Sequence, residues 1–156
     1  MARRDLASIL DAKNGNDPVV SVNHSEKTTA VTNGTSKDLL GASKEDYRSA
    51  AMLVLVKNWT DSTTTIKLQE STDNNTFTDV AAANLVWDTA NTSFNASGQV
   101  VINACADDNQ AYLVGYVGTA RYIRAGSAVT SATSGVEWAA IILSGHPRYH
   151  AQDLMK

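Results

Sequence analysis

Cysteine is nearly absent from this chain. The single Cys105 among 156 residues excludes an internal disulfide framework, and no paired Cys/His spacing offers zinc a ligand set. That usage fits synthesis in a reducing cytosol. Charge is sparse as well. With 19% charged residues, a net charge of −3 and a pI near 5.5, the chain has no basic excess with which to neutralise a phosphate backbone, so nucleic acid is not an expected partner. Nothing approaches the roughly 18 consecutive apolar residues of a membrane span. The opening residues carry Arg3 and Arg4 but no apolar stretch of signal-peptide length. These absences leave a soluble, non-secreted protein of one domain, without membrane contact, whose 43% hydrophobic content is enough for a core.

Thr, Ser, Asn, Ala and Val dominate what is present. Thr and Val are stiff at χ1 and favour a pleated backbone, whereas Asn, Ser and Gly favour turns. Short strand-like runs follow one another, each bounded by turn residues. Residues 50–56 form a continuous apolar run, read as a strand buried on both faces. Residues 63–70 alternate, with Thr64, Ile66 and Leu68 on one side and Thr65, Lys67 and Gln69 on the other, as in a half-solvated strand. Asp73, Asn74 and Asn75 tolerate positive φ and turn the chain back through 76–80, predicting a hairpin. A short helical turn is expected within 81–88, a loop over 91–98 and a strand over 99–105. Residues 111–117 and 120–125, separated by Gly118 and Thr119, read as a second hairpin, and 136–143 as the closing apolar strand.

Short strands with frequent turns and so little proline predict an all-β fold, an antiparallel β-sandwich for which a jelly roll is one arrangement. The sandwich is placed at 18–144, between an extended N-terminal arm (1–17) and a C-terminal tail (145–156).

Chemistry is harder to find. His146 and His150 stand at i, i+4, but Pro147 lies between them and no further ligand follows at a useful distance. Cys105, flanked by Ala104 and Ala106, reads as a small core residue. Asp107 and Asp108 lack the spacing of an EF-hand loop. No nucleophile elbow, P-loop or dinucleotide fingerprint occurs. No catalytic residue, metal or cofactor is therefore expected. The aromatic residues offer a binding alternative, a sugar-stacking platform on a sandwich, with Trp59, beside Asn58 and Asp61, as its exposed candidate. Trp138 sits in a run that is apolar on both sides and is assigned to the core.

Three segments taken in order carry a resemblance. They are TIKLQESTDNNTFTDV (65–80), AYLVGYVGTARYIR (111–124) and GHPR (145–148). Together they resemble small structural proteins of tailed bacteriophages, which are often encoded near the major capsid gene. Those proteins share an LQES…F-T-DV hairpin, a paired Y-x-V-G-Y and R-Y-x-R element and a closing GHPR. The resemblance covers residues 47–148, with Asp73-Asn74-Asn75 standing where Asp-Gly is usual. It implies a virion component made in the host cytoplasm and carried on the capsid surface. Its leading role would be decoration (cement) that binds the major capsid protein, and the alternatives are a neck or tail adaptor and the carbohydrate-binding module. Under this reading Arg3, Arg4, Arg148 and Tyr149 are the capsid-contact candidates, chosen for their position and for the interface chemistry of Arg and Tyr. Apolar strands at the sheet margins further suggest a homodimer or homotrimer.

Overall fold

The computed structural model describes residues 18–27, 31–40, 47–130 and 133–147. Arg3, Arg4, Arg148 and Tyr149 lie outside them, as do both presumed arms apart from the start of the C-terminal one. The described chain is an antiparallel β-sandwich. One sheet, here sheet A, has the order β1 (Val19–Lys27), β11 (Val136–Pro147), β4 (Tyr47–Trp59), β9 (Ala111–Tyr116) and β7 (Leu85–Val86). In sheet B, β10 (Tyr122–Thr130) and β5 (Thr63–Ser71) form the centre. β2 (Val31–Asn33) and β3 (Lys37–Asp38) share the outer edge of β10, while β6 (Thr78–Asp79) and β8 (Val100–Ile102) share that of β5.

Alternation decides which residues face inward. Met52 and Val54 of β4, Ile66 of β5, Val114 of β9, Ile123 of β10 and Trp138 of β11 are all completely buried between the sheets. Trp138 is thus core, although its indole N–H has no hydrogen-bond partner among the described residues.

β5 and β6 form the hairpin expected from residues 63–80, with Asn74 at φ 59° in its turn. A 3-10 turn at Ala82–Asn84 occupies the stretch where a helical turn is expected. The second expected hairpin is not one. β9 pairs with β4 and β7 in sheet A, whereas β10 pairs with β5 in sheet B, so 117–121 arches across the sandwich. The Tyr116 ring fills that arch. Its hydroxyl accepts a hydrogen bond from Ala120 N at 2.9 Å and donates to Glu70 Oε2 at 2.5 Å. A Cβ on Gly118 would lie 2.4 Å from the Tyr116 hydroxyl, so the close approach requires glycine.

Two further expectations change. The run 50–56 is not buried on both faces: Ala50, Met52, Val54 and Val56 are buried, but Leu55 on the other side is 39% exposed. β11 continues past 144 to Pro147, which pairs with Tyr47.

The sheets are stitched where β1 meets the β2–β3 connection. Buried Ser21 donates its hydroxyl to Thr35 O (2.7 Å) and accepts from Ala125 N (2.9 Å), while its carbonyl accepts from Thr35 N (2.7 Å). Gly34 N donates to Ala125 O at 2.8 Å beside it. The hydroxyl of Ser21 thus satisfies a strand N–H of sheet B from a strand of sheet A.

Candidate functional site

The sequence-chosen aromatic does not present itself to a ligand. Trp59 ends β4 half-buried against the core, its indole N–H donating to Ser62 O at 2.9 Å and its backbone N–H to Asp108 Oδ1 at 2.5 Å. It is a packing residue, because the chain turns back at Ser62 (φ 92°) and lays the loop against the ring. Trp87 and Phe94 likewise pack against the core, and Tyr112 and Tyr116 are buried.

Cys105 corrects in the opposite direction. It is exposed, in a 3-10 turn at Cys105–Asp107, because the carboxylate two residues later turns inward instead. Asp107 is buried and accepts from Ser93 Oγ (2.9 Å), Tyr112 Oη (2.9 Å) and Asn103 N (3.2 Å). This network floors a shallow cleft of about 430 Å³ between the 91–94 loop and the 103–107 turn. The Tyr112 phenol is held above its ordinary value of 10, first by burial, with Ser93 opposing and Asp107 adding to the shift. The cleft's carboxylate has both oxygens engaged, so the arrangement is structural. Among the described residues no group of three or more His, Cys, Asp or Glu converges as metal ligands would, and no helix is long and apolar enough to cross a membrane.

The outer faces of the two sheets differ in kind. That of sheet B is polar and internally paired. The Arg124 guanidinium lies 4.0 Å over the Phe77 ring, donates Nε–H to Gln69 Oε1 (2.9 Å) and reaches Asn33 Oδ1 (3.1 Å). Lys67 and Gln69 converge on Asp79 at 2.7 and 3.0 Å. Burial alone would raise the Asp79 pKa, but these two donors outweigh it and hold the group below the usual carboxylate value. Arg121 grips Asp38 through Nε and Nη2 at 3.0 and 2.8 Å, which raises the guanidinium's pKa further. This face is a preassembled lattice of charge pairs and stacked cations. Sequence alternation marks Lys67 as outward-facing; its partner Asp79 lies across the β5–β6 hairpin, whereas Arg124 draws its partners Gln69 and Asn33 from strands far away in sequence.

Sheet A carries the opposite surface. Register places Val20, Ile141, Leu53 and Leu113 in one row across β1, β11, β4 and β9. A neighbouring row brings together Leu143, Ala51, Gly115 and Val86, and another Ala139, Leu55 and Ala111. Val20 is 51% exposed, Leu113 57% and Val86 59%. No ionisable side chain interrupts these rows. Charge begins at one rim, where His24 Nε2 and Lys57 Nζ each lie 3.2 Å from a Glu137 carboxylate oxygen. Sequence reasoning missed this face by assigning both faces of 50–56 to one core.

Turn carboxylates fix the loop ends. Asp73 accepts from Asn75 N and Thr76 N, both at 2.9 Å, and from Ser71 Oγ at 2.8 Å, lowering its pKa to about 2. Asp61 similarly receives the N–H groups of Thr133, Ser134 and Gly135, which lower its pKa. A carboxylate depressed in the folded state stabilises fully above its unfolded value near 3.8, and that contribution fades as pH falls toward 2. Urea midpoints are therefore expected to drop between pH 4 and pH 2. Asp73→Ala should lower the midpoint at pH 5 and flatten its decline in acid. A variant with the wild-type acid slope would refute this assignment.

No family model and no curated protein matches the sequence. Among solved structures the fold is similar to the crystal structure of PBSX exported protein XepA, with a TM-score of 0.51 at 14% identity. The match covers 83% of this chain but 37% of that one, so the chain spans well under half the length of the protein it matches.

Proposed function

We propose that this chain is a non-enzymatic structural protein of a phage virion, and that it decorates the assembled head by binding the major capsid protein. The observation that carries the reading is the coincidence of two independent likenesses. The three ordered motifs resemble small phage structural proteins, and the sandwich that they build is similar to a protein of phage PBSX. The motifs also occupy the framework: the first forms β5–β6, the second spans the β9–β10 arch and residues 145–147 of the third end β11. The surface supports a binding role. It offers an apolar face on sheet A and a face of paired charges on sheet B.

A cement protein acts by mass action. It binds the lattice and not the free subunit, so it stabilises the particle, and many modest contacts sum over the shell. A sugar-binding role has less support now that Trp59 packs inward. A neck or tail position is the runner-up within the virion class.

The test is co-sedimentation with capsids lacking this protein. Saturable binding at a fixed ratio to the major capsid protein, with raised particle stability, is expected. A form without residues 1–17, and so without Arg3 and Arg4, is expected to bind more weakly. Absence of binding to intact shells would overturn the decoration role.

A further inference from the structure

We propose that Arg124, on the outer face of sheet B, is the receiving point for a carboxylate side chain, Asp or Glu, presented by a partner protein. This inference does not depend on the phage reading. The two arginines of the R-Y-x-R motif are held at the same two nitrogens by different chemistry. Arg121 gives its Nε–H and an Nη2–H to the two oxygens of one carboxylate, that of Asp38, and the charges cancel. Arg124 gives its Nε–H to Gln69 Oε1 and an Nη2–H to Asn33 Oδ1, two neutral amides drawn from β5 and β2. Among the described residues no carboxylate pairs with Arg124.

The guanidinium is nonetheless fixed from three directions. One of its faces lies 4.0 Å over the Phe77 ring, and the two amides hold its edge. Gln69 is itself buried, because Gly126 leaves room for its amide: a Cβ there would lie 3.0 Å from Gln69 Oε1. The nitrogen of that amide donates to Asp79 Oδ1 at 3.0 Å, and the Asp79 charge is already met by Lys67 at 2.7 Å. Half-burying a guanidinium without a counter-ion costs free energy. Burial accordingly lowers the Arg124 pKa, whereas the Asp38 hydrogen bonds raise that of Arg121. A counter-charge brought from outside recovers the cost.

The free donors define the ligand. Of the five N–H donors of a guanidinium, the bonds to Gln69 and Asn33 use two, which leaves both on Nη1 and one on Nη2. Donors on adjacent nitrogens meet the two oxygens of a carboxylate in parallel. Phosphate is the poorer fit. A dianion asks for more than one positive charge, and the flanking cations Lys67 and Arg121 are committed to Asp79 and Asp38. Since each of those pairs cancels, Arg124 presents one positive charge, complementary to one carboxylate. Arg124 lines neither the 430 Å³ cleft nor the 410 Å³ one beside Glu70. An open strand face does not enclose a small molecule, so the carboxylate comes attached to a larger surface that adds contacts of its own.

Nitrogen-15 NMR of the full chain reads the site through the Arg124 Nε–H and the Gln69 side-chain amide. The probe is the blocked tripeptide acetyl-Gly-Glu-Gly-amide. Acetyl-Gly-Gln-Gly-amide is its isosteric neutral control and inorganic phosphate a third arm, all at constant ionic strength. The Glu peptide is expected to shift both signals saturably, with a Kd on the order of 10 mM for one bidentate charged contact. The Gln peptide should leave them in place. Arg124→Lys keeps the charge but loses the fork, and should bind about tenfold more weakly, read at the Gln69 amide. Circular dichroism confirms that the variant is folded.

The absence of a saturable response to the Glu peptide overturns the proposal, and so do equal responses to the Glu and Gln peptides. Phosphate binding more tightly than the Glu peptide would assign the site to a different anion. Undiminished affinity in Arg124→Lys would reduce the effect to charge alone, which also overturns it.

Discussion

Gly34→Ala is expected to destabilise the fold by about 3–5 kcal/mol, combining overpacking with the loss of buried hydrogen bonds. The added Cβ would lie 2.3 Å from Ser21 Oγ, 2.6 Å from Ser21 O and 2.9 Å from Ala125 O. Two of these atoms are backbone carbonyl oxygens of β1 and β10, so relief cannot come from a side-chain rotation alone. The strands must part, and the Ser21–Thr35–Ala125 stitch opens with them. At about 2–4 °C per kcal/mol for a chain of this size, the melting temperature should fall by roughly 6–20 °C. Gly115→Ala is the control, since its Cβ would meet Val86 at an ordinary 3.4 Å and should change stability by less than about 1 kcal/mol. Ser21→Ala should remove part of the same energy by orphaning Ala125 N, so the Gly34 and Ser21 effects should not add. Equal urea midpoints for Gly34→Ala and Gly115→Ala would show that the seam is not a determinant of stability.

That seam was not legible in the sequence, because Ser21 and Gly34 acquire their roles only through Ala125, about a hundred residues away from Ser21. What could be read was local. Alternation over 63–70 placed Thr64, Ile66 and Leu68 inward as observed, and the Asp-Asn-Asn turn predicted the β5–β6 pairing. β5–β6 is also the one case among the described strands in which sequence neighbours pair with each other. The 111–125 segment failed for this reason. A Gly-Thr connection between two apolar strands fits a hairpin and an arch equally well, and the choice is made by β4 and β5, which lie far upstream. Cys105 was misplaced because small apolar neighbours are compatible with either side of the surface, while the buried carboxylate of Asp107 bends the backbone outward there.

The candidate surface failed more informatively. Periodicity distinguishes a one-faced strand from a two-faced one only when the second face is polar. β4 is apolar on both faces, yet sheet B covers only one of them. Leu55 accordingly stays 39% exposed on the outer side of β4 while Met52 and Val54 are buried.

Asp107→Ala is expected to destabilise by about 2–4 kcal/mol, the cost of leaving buried donors without an acceptor. The carboxylate ties together elements that share no strand pairing at this point: the 91–94 loop through Ser93, the 103–107 turn through Asn103 N, and β9 through Tyr112. Tyr112 is also the inner residue against which Phe94 packs edge-on, at 5.8 Å between ring centres. Loss of the acceptor therefore loosens the loop as well as its hydrogen bonds. Because the site borders the cleft, water can reach part of it, which keeps the expected loss below that of a fully enclosed carboxylate. Asp107→Asn preserves one acceptor oxygen and should cost about 1 kcal/mol. A titration separates the electrostatic role from the packing role. Burial and the Asp107 charge both favour the neutral phenol, so Tyr112 contributes stability that is complete below its ordinary value of 10 and is lost as pH rises through its higher folded value. Removing the charge in Asp107→Asn should bring the folded titration down toward, but not to, 10, since burial persists. Spectrophotometric titration of the phenols, referenced to Tyr112→Phe, reads this directly. An unchanged Tyr112 titration in Asp107→Asn would mean that the carboxylate acts on the loop by geometry alone.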